Sequence, residues 1–357
     1  MNDSIFPVDR LRKISDDWDL FWQGKLDRPM VYFGNVFEDL EDPILKKRKI
    51  SIPEYPAEMS AAEIIDIEDT YLNAMSYVGD TYPCFQLFFG PGNLSAYLGA
   101  RLEVNDSVWF FPTAAELEDI PNTIDRECYW YKRLHDVLRA AKAKWSGTSV
   151  QVMTSDLGQN FDVLAELRGS AEVCMDIMDK PELVKEKLQV IFDGWKDCYQ
   201  EEHDIISSFS DYSAGPLGPL SKTSTMRLQS DFSIMISNDM YEEYVLPSVI
   251  EACDFLGDPY YHLDGIPQLQ YLDSLLEIEK LRGIEFVSGA GAAPPKEWTH
   301  IYKKILDAGK QHLIYISVND ALELKKEMGT LKGFALYIGE RLTKDRAEAV
   351  YKQLIEV

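Results

Sequence analysis

One histidine and several acidic side chains lie at the ends of apolar, strand-like segments in this sequence. His262 and Asp264 are two residues apart in the segment 261–265, and side chains two apart on a strand point to the same face. Imidazole and carboxylate groups are ligands for zinc and other divalent metals. Asp264 could equally bond the turn at Gly265, and His262 could be a satisfied core residue. The motif alone leaves both interpretations open.

Further acids follow or lie in the other strand-like segments. Crowded carboxylates raise one another's pKa unless a cation or a shared proton relieves the repulsion. Such a group suits a metal site, a general acid–base pair, or the binding of a hydroxyl-rich substrate. The acids for which we predict a catalytic role are Asp156, Asp231 and Glu285.

A smaller set of residues could contact a substrate. Arg168 is the one obvious cation near the loop of Asp156 and Asp162. It could bind a substrate carboxylate or neutralise Asp162 through a bidentate pair, and we favour the pair. Flat aromatic side chains could form the walls of a pocket, although most aromatics in such a chain belong to the core. The predicted substrate-binding residues are Trp22, Trp109, Asp162, Arg168 and Tyr261.

The elements that must position these residues alternate between strand and helix about eight times. This order predicts parallel strands joined by helical crossovers, and eight such units close into a (β/α)8 TIM barrel with its site at the carboxyl ends of the strands. An open doubly wound sheet is the alternative, but segment 90–93 lacks the glycine spacing of a phosphate loop. The predicted strands are 82–89, 148–153, 209–213, 226–232, 259–263, 283–287, 312–316 and 333–338.

The domain prediction is a partly helical N-terminal segment, residues 1–80, that covers a barrel formed by residues 81–357. The 357 residues include 36 Lys and Arg against 60 Asp and Glu, a net charge of −24. This charge argues against binding to nucleic acid or to anionic membranes. Five scattered cysteines and the lack of a long apolar run lead us to expect a cytoplasmic protein without disulfides.

Six segments between residues 80 and 357 form an ordered set of motifs: 156–158 with Asp162, 167–169, 231–233, 237–247, 261–265 and 289–298. In this order they resemble the uroporphyrinogen decarboxylase superfamily. The resemblance implies a (β/α)8 barrel, and the superfamily contains porphyrinogen decarboxylases and zinc-dependent methyltransferases that work with corrinoid proteins or thiols.

The decarboxylase branch fits poorly. Its arginine-rich N-terminal signature is missing from the comparable region, residues 18–28, and a chain at −24 opposes a substrate with many carboxylates. The methyltransferase branch has a His-x-Cys-Gly motif where this chain has His262 and Asp264, and no cysteine follows Cys253. By this resemblance, zinc would be held by His262, Asp264 and a further acid, Glu340 or Glu285.

Three functions therefore stand as hypotheses. The first is metal-assisted methyl transfer from a small-molecule substrate, linked to a corrinoid protein, with zinc activating a methoxy or hydroxyl oxygen. The second is a metal-free hydrolase or lyase that uses two carboxylates on a sugar-like substrate. The third is a non-catalytic barrel that binds a small ligand. The sequence leaves open whether the chain forms a homodimer.

Overall fold

A computed structural model of the chain describes residues 6–105 and 107–356. Its largest sheet is a curled half-barrel of six parallel strands. The strands of the described residues are β1 (Met30–Phe37), β2 (Cys84–Phe85), β3 (Arg101–Val104), β4 (Val108–Phe111), β5 (Gln151–Val152), β6 (Ser213–Ala214), β7 (Leu220–Ser221), β8 (Arg227–Leu228), β9 (Tyr260–Asp264), β10 (Gly283–Val287), β11 (Gln311–Tyr315) and β12 (Phe334–Thr343).

The six strands of the main sheet follow the order β1-β12-β11-β10-β9-β8, and all adjacent pairs are parallel. β2 and β5 form a separate parallel pair. β3–β4 and β6–β7 are antiparallel hairpins. Among the described residues, no ladder joins the β2–β5 pair to the main sheet, so hydrogen bonds do not close it into a complete cylinder.

Helices make up about half of the structure and connect most of the parallel strands. They are α1 (Val8–Trp22), α2 (Ile44–Lys47), α3 (Ala61–Ala74), α4 (Leu94–Tyr97), α5 (Tyr129–Trp145), α6 (Asn160–Arg168), α7 (Ser170–Asp179), α8 (Pro181–Ser207), α9 (Asn238–Met240), α10 (Leu246–Phe255), α11 (Leu272–Leu276), α12 (Thr299–Asp307), α13 (Val318–Met328) and α14 (Lys344–Ile355). Within the described residues, no helix is both long and apolar enough to cross a lipid bilayer.

The N-terminal region contributes to the main sheet, which corrects the predicted division at residue 80. β1 pairs in parallel with β12 along its length, with one irregularity after Phe33. It is therefore a strand of the sheet, whereas α1 packs against strand residues in an apolar cluster. The predicted strand 209–213 is also wrong, because only Ser213 of it is in a strand and β6 pairs with β7 outside the main sheet.

Parallel register places alternate strand residues on the two faces of the curled sheet. One face packs under helices in the largest apolar cluster, which includes Tyr261 and Leu263. The opposite face, inside the curl, packs with α1 in a smaller cluster. That inner cluster includes Trp18, Trp22, Tyr32, Tyr260 and Leu313. Burial of these apolar surfaces fixes which side chains of β9 and β10 point inward.

Candidate metal centre

The register of three neighbouring strands brings polar side chains together on the inner face. His262 of β9 is paired with Glu285 of β10, and Tyr260 of β9 is paired with Arg227 of β8. Since paired residues of parallel strands share a face, the imidazole, the carboxylate and the guanidinium project to the same side. They form a polar group inside an otherwise apolar curl.

The group is held by opposite charges. Arg227 Nη2 lies 3.1 Å from Asp156 Oδ2, and Arg227 Nη1 lies 3.7 Å from Glu285 Oε2. Glu285 Oε1 lies 3.2 Å from His262 Nδ1, which is an ion-pair distance. Only 3% of the Glu285 side chain is exposed. Arg227 thus neutralises acids that would otherwise repel each other inside the sheet.

Burial and the neighbouring charges together determine the pKa values of Glu285 and His262. Burial by itself would raise the pKa of Glu285, but the charges of His262 and Arg227 outweigh burial and lower it. Burial would lower the pKa of His262, but the Glu285 carboxylate outweighs burial and raises it. Glu285 therefore stays ionised and favours a proton on His262 Nδ1, which leaves Nε2 as the nitrogen available to a ligand.

Three residues could hold a metal ion here: Asp231, His262 and Asp264. Each offers one ligand atom, and these atoms lie within 4.8 Å of one another. The structure thus brings His262 and Asp264 together, as their spacing predicts. Asp231 joins them from the turn that follows β8, where it begins a 3-10 helix. A nitrogen and two carboxylate oxygens are donors that zinc and other divalent ions accept.

Asp162 supports the turn that presents Asp231. Its Oδ2 accepts a hydrogen bond of 2.9 Å from the backbone N–H of Asp231, and its Oδ1 accepts one of 2.7 Å from the N–H of Phe232. Burial, followed by the charge of Asp231, raises the pKa of Asp162 to about 7. A carboxyl group with that pKa can hold or release a proton near neutral pH.

A cavity of about 610 Å³ opens beside this group, and we call it the acidic cavity. Asp162, Glu166 and Asp231 line it, together with aromatic residues such as Trp109 and Phe232. Burial raises the pKa of Glu166 well above its ordinary value, although a hydrogen bond from the Ser95 hydroxyl opposes this. No Lys, Arg or His is among the described residues that line the acidic cavity.

The other residues predicted as site residues lie in different parts of the structure. Asp156 and Glu285, predicted as catalytic, lie behind His262 in the buried ion network. Trp109 lines the acidic cavity with 56% of its surface exposed. Tyr261 is fully buried under the helices, on the face of β9 opposite His262. Its position excludes contact with a substrate at the metal centre, so the prediction for Tyr261 is corrected.

The predictions for Trp22 and Arg168 also need correction. Trp22 is a core residue whose ring stacks on Tyr260, and its Nε1–H donates to the carbonyl oxygen of Leu220. Arg168 Nε lies 2.9 Å from the Asp176 carboxylate, and its Nη1 donates to the Ala115 carbonyl. Arg168 therefore does not pair with Asp162, and it does not line the acidic cavity. These contacts give Trp22 and Arg168 structural roles.

Glu340 is not part of the metal group. Its carboxylate accepts a hydrogen bond from the backbone N–H of Val318, the first residue of α13, where an acid is favoured at the positive end of the helix. Asp231 takes the place predicted for Glu340 as the third donor of the group.

Arg227 and Glu166 were missed from the sequence as site residues. Arg227 had a detectable signal, since it lies within a predicted strand, two and four residues before Gln229 and Asp231 on the same face. An inward-facing arginine in a strand of a strongly acidic chain indicates an ion network. Glu166 had no comparable signal, because it follows an ordinary helical pattern.

Comparison with the models of known protein families finds no match to this chain, and comparison with curated proteins also finds none.

Proposed function

We propose that this chain is a divalent-metal-dependent enzyme of the uroporphyrinogen decarboxylase-like superfamily that transfers a methyl group from an oxygen atom of a small substrate, with a corrinoid protein as its partner. One observation supports this above all: Asp231, His262 and Asp264 converge, with Glu285 behind His262. Metal-binding histidines commonly have a carboxylate against their second ring nitrogen, which fixes the tautomer and the ring orientation.

The fold supports the same proposal. In a (β/α)8 barrel the site lies at the carboxyl ends of the strands, and Asp264 is the last residue of β9 while Asp231 follows β8. We propose that the main sheet and the β2–β5 pair together correspond to the eight barrel strands, with β1 as the first. This count replaces the predicted strand 209–213 by β1.

The chemistry of the donors fits a hard or borderline cation. His262 contributes nitrogen and the two aspartates contribute oxygen, so zinc or manganese is favoured over ions that require thiolates. A bound ion would supply Lewis-acid activation of a methoxy or hydroxyl oxygen. Arg227 pairs with Asp156 and with Glu285 inside the sheet.

Asp162 supplies the proton that such a reaction needs. When a methyl group leaves an ether oxygen, that oxygen takes up a proton, and the Asp162 carboxyl lines the cavity next to Asp231 with a pKa of about 7. We assign Asp162 the role of general acid, while its two backbone hydrogen bonds keep it in place. The apolar walls at Trp109 and Phe232 would enclose the substrate body and exclude water.

The decisive experiment is metal analysis of the purified protein by plasma mass spectrometry. We expect about one equivalent of a divalent metal per chain, lost in His262→Ala and in Asp264→Ala. His300→Ala is the matched control, since His300 is exposed and outside the group, and it should keep the metal. A metal-free wild-type protein, or equal metal content in H262A and wild type, would overturn the proposed centre.

Methyl transfer is tested with free cob(I)alamin as acceptor and methanol or methoxybenzene as donor, by following methylcobalamin formation. The metal-loaded wild type should form methylcobalamin and D162N should form it more slowly. A metal-loaded protein that gives none with any methoxylated donor contradicts methyl transfer while leaving the metal centre intact.

A hydrolase or lyase that uses carboxylates is the second candidate, favoured by the neutral-range pKa of Asp162 beside Asp231. It predicts that protein treated with a chelator keeps its activity on glycoside substrates and that D162N loses it.

A further inference from the structure

A second cavity lies at the ends of β1 and β12. Its volume is about 520 Å³, and it shares no lining residue with the acidic cavity. Gly34 and Asn35 of β1 line it together with Gly339 and Arg341 of the neighbouring strand β12. The segment 48–50 after α2 forms one rim. Since it contains three cationic side chains, Arg48, Lys49 and Arg341, we call it the basic cavity.

One of the three cations is already neutralised. Arg48 Nε lies 2.8 Å from Glu68 Oε2, and its guanidinium carbon is 4.3 Å from the centre of the Tyr71 ring. The Glu68 carboxylate is 3% exposed, so this pair is buried and specific. Arg48 therefore forms a fixed wall of the basic cavity, and its charge is balanced from behind.

The other two cations have no such partner. Lys49 and Arg341 are exposed, and no described carboxylate lies within ion-pair distance of either. Glu54 also lines the basic cavity, but its Oε1 accepts hydrogen bonds of 2.7 Å and 2.9 Å from the N–H and hydroxyl of Ser51. These bonds hold Glu54 in place but leave its charge, so Lys49 and Arg341 together exceed it by one positive charge. In a chain with 60 acidic and 36 basic residues, this is a local excess of positive charge.

The walls of the basic cavity are fixed by hydrogen bonds and close packing. The Tyr71 hydroxyl donates to Asn35 Oδ1 at 2.8 Å, and Asn35 Nδ2 donates to the Gly339 carbonyl at 2.9 Å. A Cβ atom on Gly34 would collide with the Tyr337 hydroxyl, so this position accepts no side chain without a shift of the ring. The basic cavity is thus preformed, with polar groups held in place before any ligand arrives.

We propose that the basic cavity binds a small organic anion, a carboxylate or a phosphate monoester, with its acid group between Lys49 and Arg341. Guanidinium and ammonium groups recognise both kinds of oxyanion through charge-assisted hydrogen bonds. The tyrosine rings and the Asn35 amide would contact the uncharged body of the ligand. This site does not depend on the metal centre, because none of Asp231, His262 and Asp264 lines it.

The test is isothermal titration calorimetry on the full chain with three probes that differ in their charged group: benzoate, phenyl phosphate and neutral benzyl alcohol. We expect at least one anion to bind and benzyl alcohol to bind much more weakly. Arg341→Gln and Lys49→Gln should each weaken anion binding by about tenfold, the loss typical of one charge-assisted hydrogen bond. Neither residue has a structural partner that its replacement would leave buried and unpaired.

Arg346→Gln is the matched control, since Arg346 is exposed on α14 and does not line the basic cavity. It should bind the anion with wild-type affinity. Preference for benzoate assigns a carboxylate and preference for phenyl phosphate assigns a phosphate ester, and both support the site. Failure of both anions to bind, equal binding of benzyl alcohol, or equal losses in R341Q and R346Q would each overturn it.

Discussion

The acidic cavity and the basic cavity lie at strand ends of one molecule but differ in how their charges are compensated. At the acidic cavity the nearby cation, Arg227, is inside the sheet and pairs with Asp156 and Glu285. At the basic cavity the acid that balances Arg48 is Glu68 of α3. Among the described residues, the acidic cavity is therefore lined by acids without a cation, whereas at the basic cavity the cations outnumber the acids.

The net charge of −24 therefore does not describe the local chemistry of either cavity. Association of a cation with Asp231 and Asp264, and of an anion with Lys49 and Arg341, would each relieve a local excess. The chain could thus hold two ligands of opposite charge at separate places. Substitutions that alter only one of the two cavities test whether the sites are independent.

Replacement of Arg227 should cause the largest loss of stability. Arg227→Met leaves Asp156 and Glu285 without their buried counter-charge, so we expect the free energy of unfolding to fall by about 3–5 kcal/mol. Arg341→Met in the basic cavity breaks no ion pair and should change it by less than about 0.5 kcal/mol. Urea denaturation of both variants provides the measurement. Similar losses in the two variants would show that the arginines do not differ in structural role.

A smaller predicted effect is the contribution of Glu202 to the pH dependence of stability. Its buried carboxylate accepts hydrogen bonds of 2.7 Å from both the N–H and the hydroxyl of Ser155, next to Asp156. Burial raises the pKa of Glu202 from 4.5 to about 7. Between these values the folded state keeps a proton that the unfolded chain releases, so stability falls as the pH rises. This residue contributes a fall of at most about 3 kcal/mol.

Glu202→Gln should remove that part of the pH dependence, as measured by urea unfolding at several pH values. Glu186→Gln on the same helix is the control, since Glu186 is exposed, and it should follow the wild-type curve. If E202Q has the same slope as wild type between pH 4.5 and 7, the Glu202 carboxyl does not titrate in this range.

The smallest predicted effect is a change in ligand affinity that is confined to one cavity. Asp264→Asn should weaken metal binding by about tenfold or more and leave benzoate binding unchanged, because the ligand group loses one charge. Arg341→Gln should do the reverse. Calorimetric titration of each variant with Zn²⁺ and with benzoate measures both affinities. If either substitution changes both affinities equally, the cavities are coupled and are not independent sites.

The sequence predicts much of the fold where strands are regular. The apolar run 283–287 coincides with β10, and 259–263 is within one residue of β9. β1 was not predicted because the region around it is polar and punctuated by proline, although Met30–Phe37 is itself a largely apolar run and therefore carries a local strand signal. Its partner β12 is distant in the chain. No local pattern reports such a pairing, since the register is set by tertiary packing.

Part of the metal group also follows from sequence, because the two-residue spacing of His262 and Asp264 fixes their common face. The third donor could not be chosen, since several acids follow strands and only the path of each loop decides which of them converge. Asp231 is turned inward by its hydrogen bond to Asp162, whereas Glu340 bonds to α13. The basic cavity was not predicted, because Arg48 and Lys49 belong to a charged run that is typical of exposed segments.

The pairing of β1 with β12 has a consequence for biosynthesis. Asn35 and its hydrogen-bond partner Gly339 are 304 positions apart. At typical rates of translation, β12 is therefore synthesised roughly 15–60 s after β1. During this interval the unpaired edge of β1 can template association with other nascent chains. We therefore expect chaperone dependence during synthesis to be greater than the stability of the finished protein would indicate.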